Sequence, residues 1–322
     1  MKRKTVFSSK AVTAAMDYCE AIQRFCDDVE SRLEKEMRSG DAFDLEEAIA
    51  GTYISKFHFY RIFKAITGLS VLDYVKRRRL GLAAGHLLET GDDILTTAVK
   101  FGFHSQEVFI RNFKKQFGRT PSSFRKTGTI DEIRGNAGKI HVVALRLAVK
   151  NRNGTIHVAE HTETIRDLKL VGYERVTRNG ESRTVIDAMD RFLRAMHRIP
   201  NARTDAVYRL CYDLNNDGGN ESYKELIAVA VDDFRAVPAG MTFKHIRHAH
   251  IVTYRHEGKL FTKHTENIVR TYEFLYGYRI PRSGVILTPD FTMERYPANF
   301  AGPYEDGAVV DISFSIQPQN EQ

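Results

Sequence analysis

Between residues 12 and 38, Met16, Cys19, Ile22, Phe25, Cys26, Val29 and Leu33 recur at spacings of three and four. That period predicts an amphipathic helix with one buried face, and Ser39-Gly40 ends it. Asp44, with Glu47 three residues on, reads as a capping box opening a short helix over 45–50, which Gly51 stops. Ser55 opens the next helix, to about Ile66 and before Gly68. A short helix, a tight glycine-containing turn and a second helix form the helix-turn-helix pattern. Ser70, with Asp73, opens a long helix to about Thr90. Then the pattern restarts: Asp93 opens 94–101, Gly102 makes the turn, Ser105 opens a helix to about Gln116, and Thr120-Pro121 begin a last short one. The restart is a repeat at fifty residues. Ser55, Phe59, Arg61, Phe63, Lys64 and Gly68 return as Ser105, Phe109, Arg111, Phe113, Lys114 and Gly118.

The texture changes further on. Residues 127–139 are polar, carry three glycines and read as a linker. Beyond them, segments 206–214, 223–231, 251–256, 291–296 and 309–316 are short, β-branched or aromatic and bounded by turn residues, as strands are. Helices are expected near 183–197 and 261–276. The order strand, helix, strand, strand is given twice, a second duplication of α+β type. The expected organisation is an all-α double helix-turn-helix domain over 1–126, a linker over 127–139, and a duplicated α+β domain over 140–322.

Charge sharpens the picture. Residues 51–127 hold 14 Lys and Arg against 5 Asp and Glu, a net of +9, whereas the whole chain carries only +7. The positive charge coincides with the repeated units and points to a polyanionic partner. No apolar run approaches the roughly 18 residues that cross a bilayer, and three cysteines make no disulfide framework. A cytoplasmic protein that engages no membrane is expected. No metal, cofactor or catalytic site is expected either: phosphate loops, nucleophile elbows and paired-cysteine motifs are absent, and His248 with His250 lacks a third ligand.

A DNA-reading helix packs one face on its own domain and offers polar groups on the other. Phe59, Ile62, Phe63 and Ile66 fit the buried face in the first unit, leaving Lys56, Phe57, Tyr60, Arg61 and Lys64 for a groove. In the second, Phe109, Phe113 and Phe117 are the buried face, leaving Gln106, Glu107, Ile110, Arg111 and Lys114. The joining helix, about 19 residues or roughly 28 Å long, approaches the roughly 34 Å between successive half-sites on duplex DNA. Arg77, Arg78 and Arg79 along it are candidates for backbone contact.

These stretches resemble AraC-type DNA-binding domains. The first half is carried by Leu45-Glu-Glu-Ala-Ile-Ala, by Ser55 to Lys64, and by Tyr74-Val-Lys-Arg-Arg-Arg-Leu. Gly102-Phe-His-Ser105 and Gly118-Arg-Thr-Pro121 carry the second. The resemblance implies transcriptional regulation and places base reading on Phe57, Tyr60, Arg61, Glu107, Ile110 and Arg111. Double-stranded DNA, a small-molecule effector and RNA polymerase are the expected partners.

The C-terminal part resembles GyrI-like effector-binding domains, through Leu170-Val-Gly-Tyr173, Val237-Pro-Ala-Gly240, Tyr254-Arg-His-Glu-Gly258, Met293-Glu-Arg-Tyr-Pro297 and Asp311-Ile-Ser-Phe-Ser-Ile-Gln317. That resemblance implies a groove for hydrophobic, often cationic molecules, with Glu294 in it. A carboxylate among aromatic faces suits a cation, and Tyr208, Tyr212, Phe243, Tyr254, Tyr296 and Phe314 are candidate walls. Alternation along the strand puts Met293 and Arg295 on the face opposite Glu294. The competing readings are a GyrI-like hydrolase, with Glu294 as general base, and a DNA-binding regulator that takes no ligand.

Overall fold

The computed structural model describes residues 17–40, 43–142, 160–178, 184–217, 220–261 and 267–318. Helix α1 (Tyr18–Ser39) starts where Asp17 accepts from the backbone N–H groups of Cys19 and Glu20, and ends at Gly40 with a φ of 75°. Met16, expected on its buried face, lies outside the described residues. Helices α2 (Leu45–Ala50), α3 (Lys56–Thr67), α4 (Val71–Glu89), α5 (Ile94–Lys100), α6 (Gln106–Phe117) and α7 (Pro121–Thr127) follow within a residue or two of their predicted ends. The capping box at Asp44 is half made. Asp44 accepts from Glu46 and Glu47 N–H, but the Glu47 carboxylate turns to Arg32 at 2.8 Å. Ser55 stands at its N-cap without a capping bond, whereas the Ser105 hydroxyl accepts from Val108 N–H at 3.3 Å.

Two of the three arginines on α4 are used inside the protein. Arg78 holds Glu30 of α1 at 2.5 and 2.7 Å, and Arg79 holds Glu36 at 3.0 Å. They fasten α1 across α4, so neither guanidinium is spare for a DNA backbone. The segment 127–139 is also more than a tether. Helix α8 (Ile130–Ala137) forms inside it on a full Thr129/Glu132 capping box. Its end lies on α4, where an added Cβ at Gly81 would come within 2.9 Å of Ala137.

The C-terminal part reads β1 (Glu160–Arg178), α9 (Thr184–Ala195), β2 (Ala202–Asp217), β3 (Asn220–Val231), then β4 (Thr242–Glu257), α10 (Asn267–Phe274), β5 (Leu287–Pro297) and β6 (Val309–Ile316). This is strand-helix-strand-strand given twice. The strands are all antiparallel and close a barrel in the order β1-β3-β2-β5-β6-β4. The halves are equivalent, β1-β3-β2 matching β4-β6-β5, with seams at β2–β5 and β1–β4. Beyond α10 the helix widens into a π turn at Leu275–Arg279 before α11 (Ile280–Ser283). Strand β1 had no counterpart among the predicted strands.

The two helix-turn-helix units sit differently. Unit two has its own core of Leu80, Leu87, Phe101, Phe109, Phe113 and Phe124. The core of unit one, with Phe25, Phe59 and Phe63, runs without a break into Val252, Tyr276 and Phe314 of the barrel domain. The Leu287 N–H donates to the Tyr18 hydroxyl across that junction at 2.9 Å.

Candidate functional site

A cavity of about 1370 Å³ lies between one face of the sheet, helices α9 and α10, and helix α3. Strand alternation selects its floor. Val207, Arg209 and Cys211 of β2 and Thr292, Glu294 and Tyr296 of β5 face it. Tyr208, Leu210, Tyr212, Phe291 and Met293 point the other way, into a separate core. Met189 and Leu193 of α9 and Val269 and Tyr272 of α10 form the sides. The π turn brings Tyr276 into the wall, and π turns recur at functional sites because they re-aim side chains.

The floor is ionic and almost wholly buried, Glu225 and Glu294 being 0% and 2% exposed. Arg209 and Glu294 are direct cross-strand neighbours, and Arg209 donates to Glu294 and to Glu225 at 2.6 Å each. Tyr272 and Tyr296 donate their hydroxyls to Glu294 at 2.7 and 2.5 Å. Arg175 closes the chain on the far side of Glu225. Burial would push the Glu225 carboxyl up, but Arg209 and Arg175 outweigh it and hold it below the usual range. Burial likewise works against the Arg209 charge, and neighbouring acidic groups, Glu294 and Glu225 among them, hold it well above its ordinary value. Burial, with Glu294 next in effect, keeps the Tyr272 and Tyr296 hydroxyls protonated. Burial raises the Cys211 thiol to about 11, so it is no nucleophile near neutrality. Among the described residues no group of three His, Cys, Asp or Glu side chains is placed to hold a metal ion. No described helix is long and apolar enough to cross a membrane.

Helix α3 forms the remaining wall. Phe57, Tyr60, Arg61, Lys64 and Ile66 all line the cavity. Arg61 reaches Glu221 at 3.2 Å and lies over the Phe57 ring at 4.4 Å. His58, fully buried, is bound through Nε2 to the Thr288 carbonyl at 2.9 Å and through Nδ1 to the Tyr276 hydroxyl at 3.3 Å. A carbonyl only accepts, so Nε2 carries the proton and Nδ1 accepts from Tyr276. Burial pushes the imidazole down to about 4; the Thr288 carbonyl opposes this and the Arg61 charge adds to it.

Two families of known proteins match separate parts of the chain. A helix-turn-helix domain model matches residues 50–127, and a model described as integron-associated effector binding protein matches 162–314. The probable transcription factor PqrA of Proteus vulgaris is 37% identical over 105 residues, which are 33% of this chain and 86% of PqrA. The chain belongs to the AraC-type family of transcriptional regulators. Its barrel is of the GyrI-like effector-binding type. The HTH-type transcriptional regulator YbfP of Bacillus subtilis is 37% identical over 110 residues, 34% of this chain, and the match spans about a third (35%) of YbfP. Among solved structures, a putative transcription regulation protein of Staphylococcus aureus MU50 aligns at a TM-score of 0.38 and 12% identity, over 50% of this chain and all of that one.

In this AraC-type regulator the two helices expected to read DNA are in different states. On α6, Glu107, Arg111 and Lys114 are exposed and Gln106 and Ile110 are half-buried, an open face. On α3, Phe57 and Tyr60 are 2% and 6% exposed, Lys56 pairs with Glu46 at 2.7 Å, and only Lys64 is freely exposed. The face expected to meet a groove thus meets the barrel domain instead. Of the candidate effector residues, the structure brings Glu294 and Tyr296 together in the cavity. Phe314 backs it, with its ring 6.2 Å from Tyr272 and 5.4 Å from Tyr276, and Tyr254 lies behind Phe314. Tyr208 and Tyr212 face away, and Phe243 is exposed against Phe234. Glu294 is not the lone carboxylate the sequence suggested, because Arg209 directly across the ladder already neutralises it. Sequence reasoning passed over Arg209, Tyr223, Tyr272 and Tyr276. One signal was available: Tyr272 and Tyr276 are one helical turn apart.

Proposed function

We propose that this chain is a sequence-specific DNA-binding transcriptional regulator whose C-terminal domain takes a small, hydrophobic or cationic effector into the cavity beside Glu294. The observation that carries the DNA half is the duplicated unit, with Arg61 and Arg111 in one register and α6 presenting Arg111 and Lys114 to solvent. RNA polymerase is then a further partner, and the cytoplasm the place of work. A steep salt dependence is expected for the full chain on promoter DNA, log K falling by roughly 0.9 per neutralised phosphate against log salt. Arg111→Ala should cost about 1–3 kcal/mol and relax specificity within one half-site only. Fluorescence anisotropy at several salt concentrations checks both. A flat salt response, or a uniform loss at every base, would count against this reading.

The cavity supports the effector half. It exceeds the roughly 300–1,000 Å³ common for ligand sites, so a multi-ring molecule fits. Asp190, Glu221, Glu273 and Glu294 outnumber Arg61, Lys64 and Arg209 in its lining, which favours a cation among the aromatic faces. Glu294→Gln removes one carboxylate and leaves Arg209 less neutralised. Calorimetric titration should show an aromatic quaternary amine losing at least tenfold in affinity, and a neutral isostere far less. Equal losses would take Glu294 out of ligand recognition. For hydrolysis, Glu294 would have to serve as a base, yet its oxygens are already engaged by Arg209, Tyr272 and Tyr296. The non-catalytic reading is the one we adopt.

A further inference from the structure

Helix α3 has two claims on it. Its sequence pattern and its repeat partner α6 make it a DNA-reading helix. Its position makes it a wall of the effector cavity. The same side chains serve both: Phe57, Tyr60, Arg61 and Lys64 are the expected groove residues, and all four line the cavity. In the docked position Phe57 and Tyr60 are buried, and one terminal guanidinium nitrogen of Arg61 donates to Glu221 at 3.2 Å. A carboxylate there occupies the guanidinium much as a phosphate or a guanine edge would.

The docking contact is specific. The Phe57 ring meets Tyr223 edge-on at 6.4 Å. His58 is clamped between the Thr288 carbonyl and the Tyr276 hydroxyl. Gly277, in the π turn, lets two backbones meet: an added Cβ would stand 3.0 Å from the Ala65 carbonyl oxygen and 3.3 Å from the Ala65 Cβ.

We propose that α3 is shared by two mutually exclusive sites, closing the effector cavity when docked and reading a major groove when released. The proposal rests on the function proposed above and adds its regulation. A molecule filling the cavity touches α3 and the barrel together, so it binds the docked form more tightly than the released one. Coupling between sites is reciprocal. Such an effector therefore lowers DNA affinity at the half-site α3 reads, and DNA lowers effector affinity by the same factor. Helix α6, on a separate core, keeps its half-site throughout.

Locking α3 in place tests this. Cysteines at Ala65→Cys and Gly277→Cys stand close to disulfide geometry, which wants Cβ atoms roughly 3.5–4.5 Å apart. The full-length protein carries both changes, and the native Cys19, Cys26 and Cys211 are buried. The probe is the duplex that the reduced double variant enriches from a random pool. Reduced protein should protect two half-sites about one helical turn apart. Oxidised protein should protect only one and bind at least tenfold more weakly, while an aromatic quaternary amine binds it no less tightly than the reduced form. Gly277→Leu, a wedge against Ala65, should do the reverse and raise DNA affinity above that of the unmodified chain. Two protected half-sites and unchanged affinity after oxidation would overturn the proposal. Failure of wild-type and reduced protein alike to enrich any duplex would instead sink the DNA-binding reading, and the proposal with it.

Discussion

Arg209→Met is expected to lower the unfolding free energy of the barrel by about 3–5 kcal/mol, the cost typical of removing one partner from a buried ionic group. Arg209 is the shared cation of two carboxylates, donating to Glu225 and Glu294 at 2.6 Å each. Both are almost wholly inaccessible, at 0% and 2% exposure. Methionine keeps most of the side-chain volume, so the loss reports charge rather than a cavity. Glu225 would retain Arg175, and Glu294 would retain the hydroxyls of Tyr272 and Tyr296. The double variant Arg209→Met/Glu294→Gln should therefore be more stable than Arg209→Met alone, because one unpaired charge has gone with its partner. The chain has no tryptophan, so urea unfolding is best followed by circular dichroism. A loss below about 1 kcal/mol for the single variant, or no recovery in the double, would show that this network is weakly coupled to the fold.

What the sequence disclosed, and what it hid, follows from the range of the forces involved. The helices of both units were legible because caps and one-sided periodicity are local. Asp93, Ser105 and Thr120 cap where their neighbours lead one to expect. The duplicated strand order was legible for the same reason. Strand β1 was not, because its first half, Glu160–Leu168, is polar and largely exposed and has no clean alternation. The Thr129/Glu132 box of α8 was written in the sequence but was outweighed by three glycines. Docking of α3 depends on long-range contact, and here the signal was present but was read only as a DNA-facing surface. Lys56 to Thr67 is aromatic or apolar nearly all round, at Phe57, Phe59, Tyr60, Ile62, Phe63 and Ile66, while α6 is one-sided. A helix apolar all round is one buried on both sides. Glu294 shows the same limit: its strand face was readable, but its partner Arg209 lies 85 residues away.

Acidification should loosen the α3 contact through His58. The imidazole is held neutral in the docked protein, with its ordinary value of 6.5 pushed down to about 4, chiefly by burial. A group whose folded value is depressed in this way favours the fold in its neutral form. For a histidine that means stability is fully present above about pH 6.5 and is lost as the pH falls toward 4, because the unfolded or released chain binds the proton first. A shift of that size is worth about 3 kcal/mol across the window. The groups facing His58 do not relieve the cost. Arg61, on the same helix, repels a second positive charge. The Tyr276 hydroxyl is itself kept protonated by burial and donates to Nδ1, the nitrogen a proton would need. Phe314, its ring 6.5 Å away and inclined at 64°, carries no charge. Glutamine reproduces both hydrogen bonds without titrating, so His58→Gln is the informative variant. The unfolding free energy of wild type should drop between pH 6.5 and 4 by about 3 kcal/mol more than that of the variant. Carboxylates and His256 are common to both proteins and cancel in the difference. Parallel stability curves for the two would mean that His58 is solvated or repartnered when α3 is in place, and that the clamp between Thr288 and Tyr276 does not control docking.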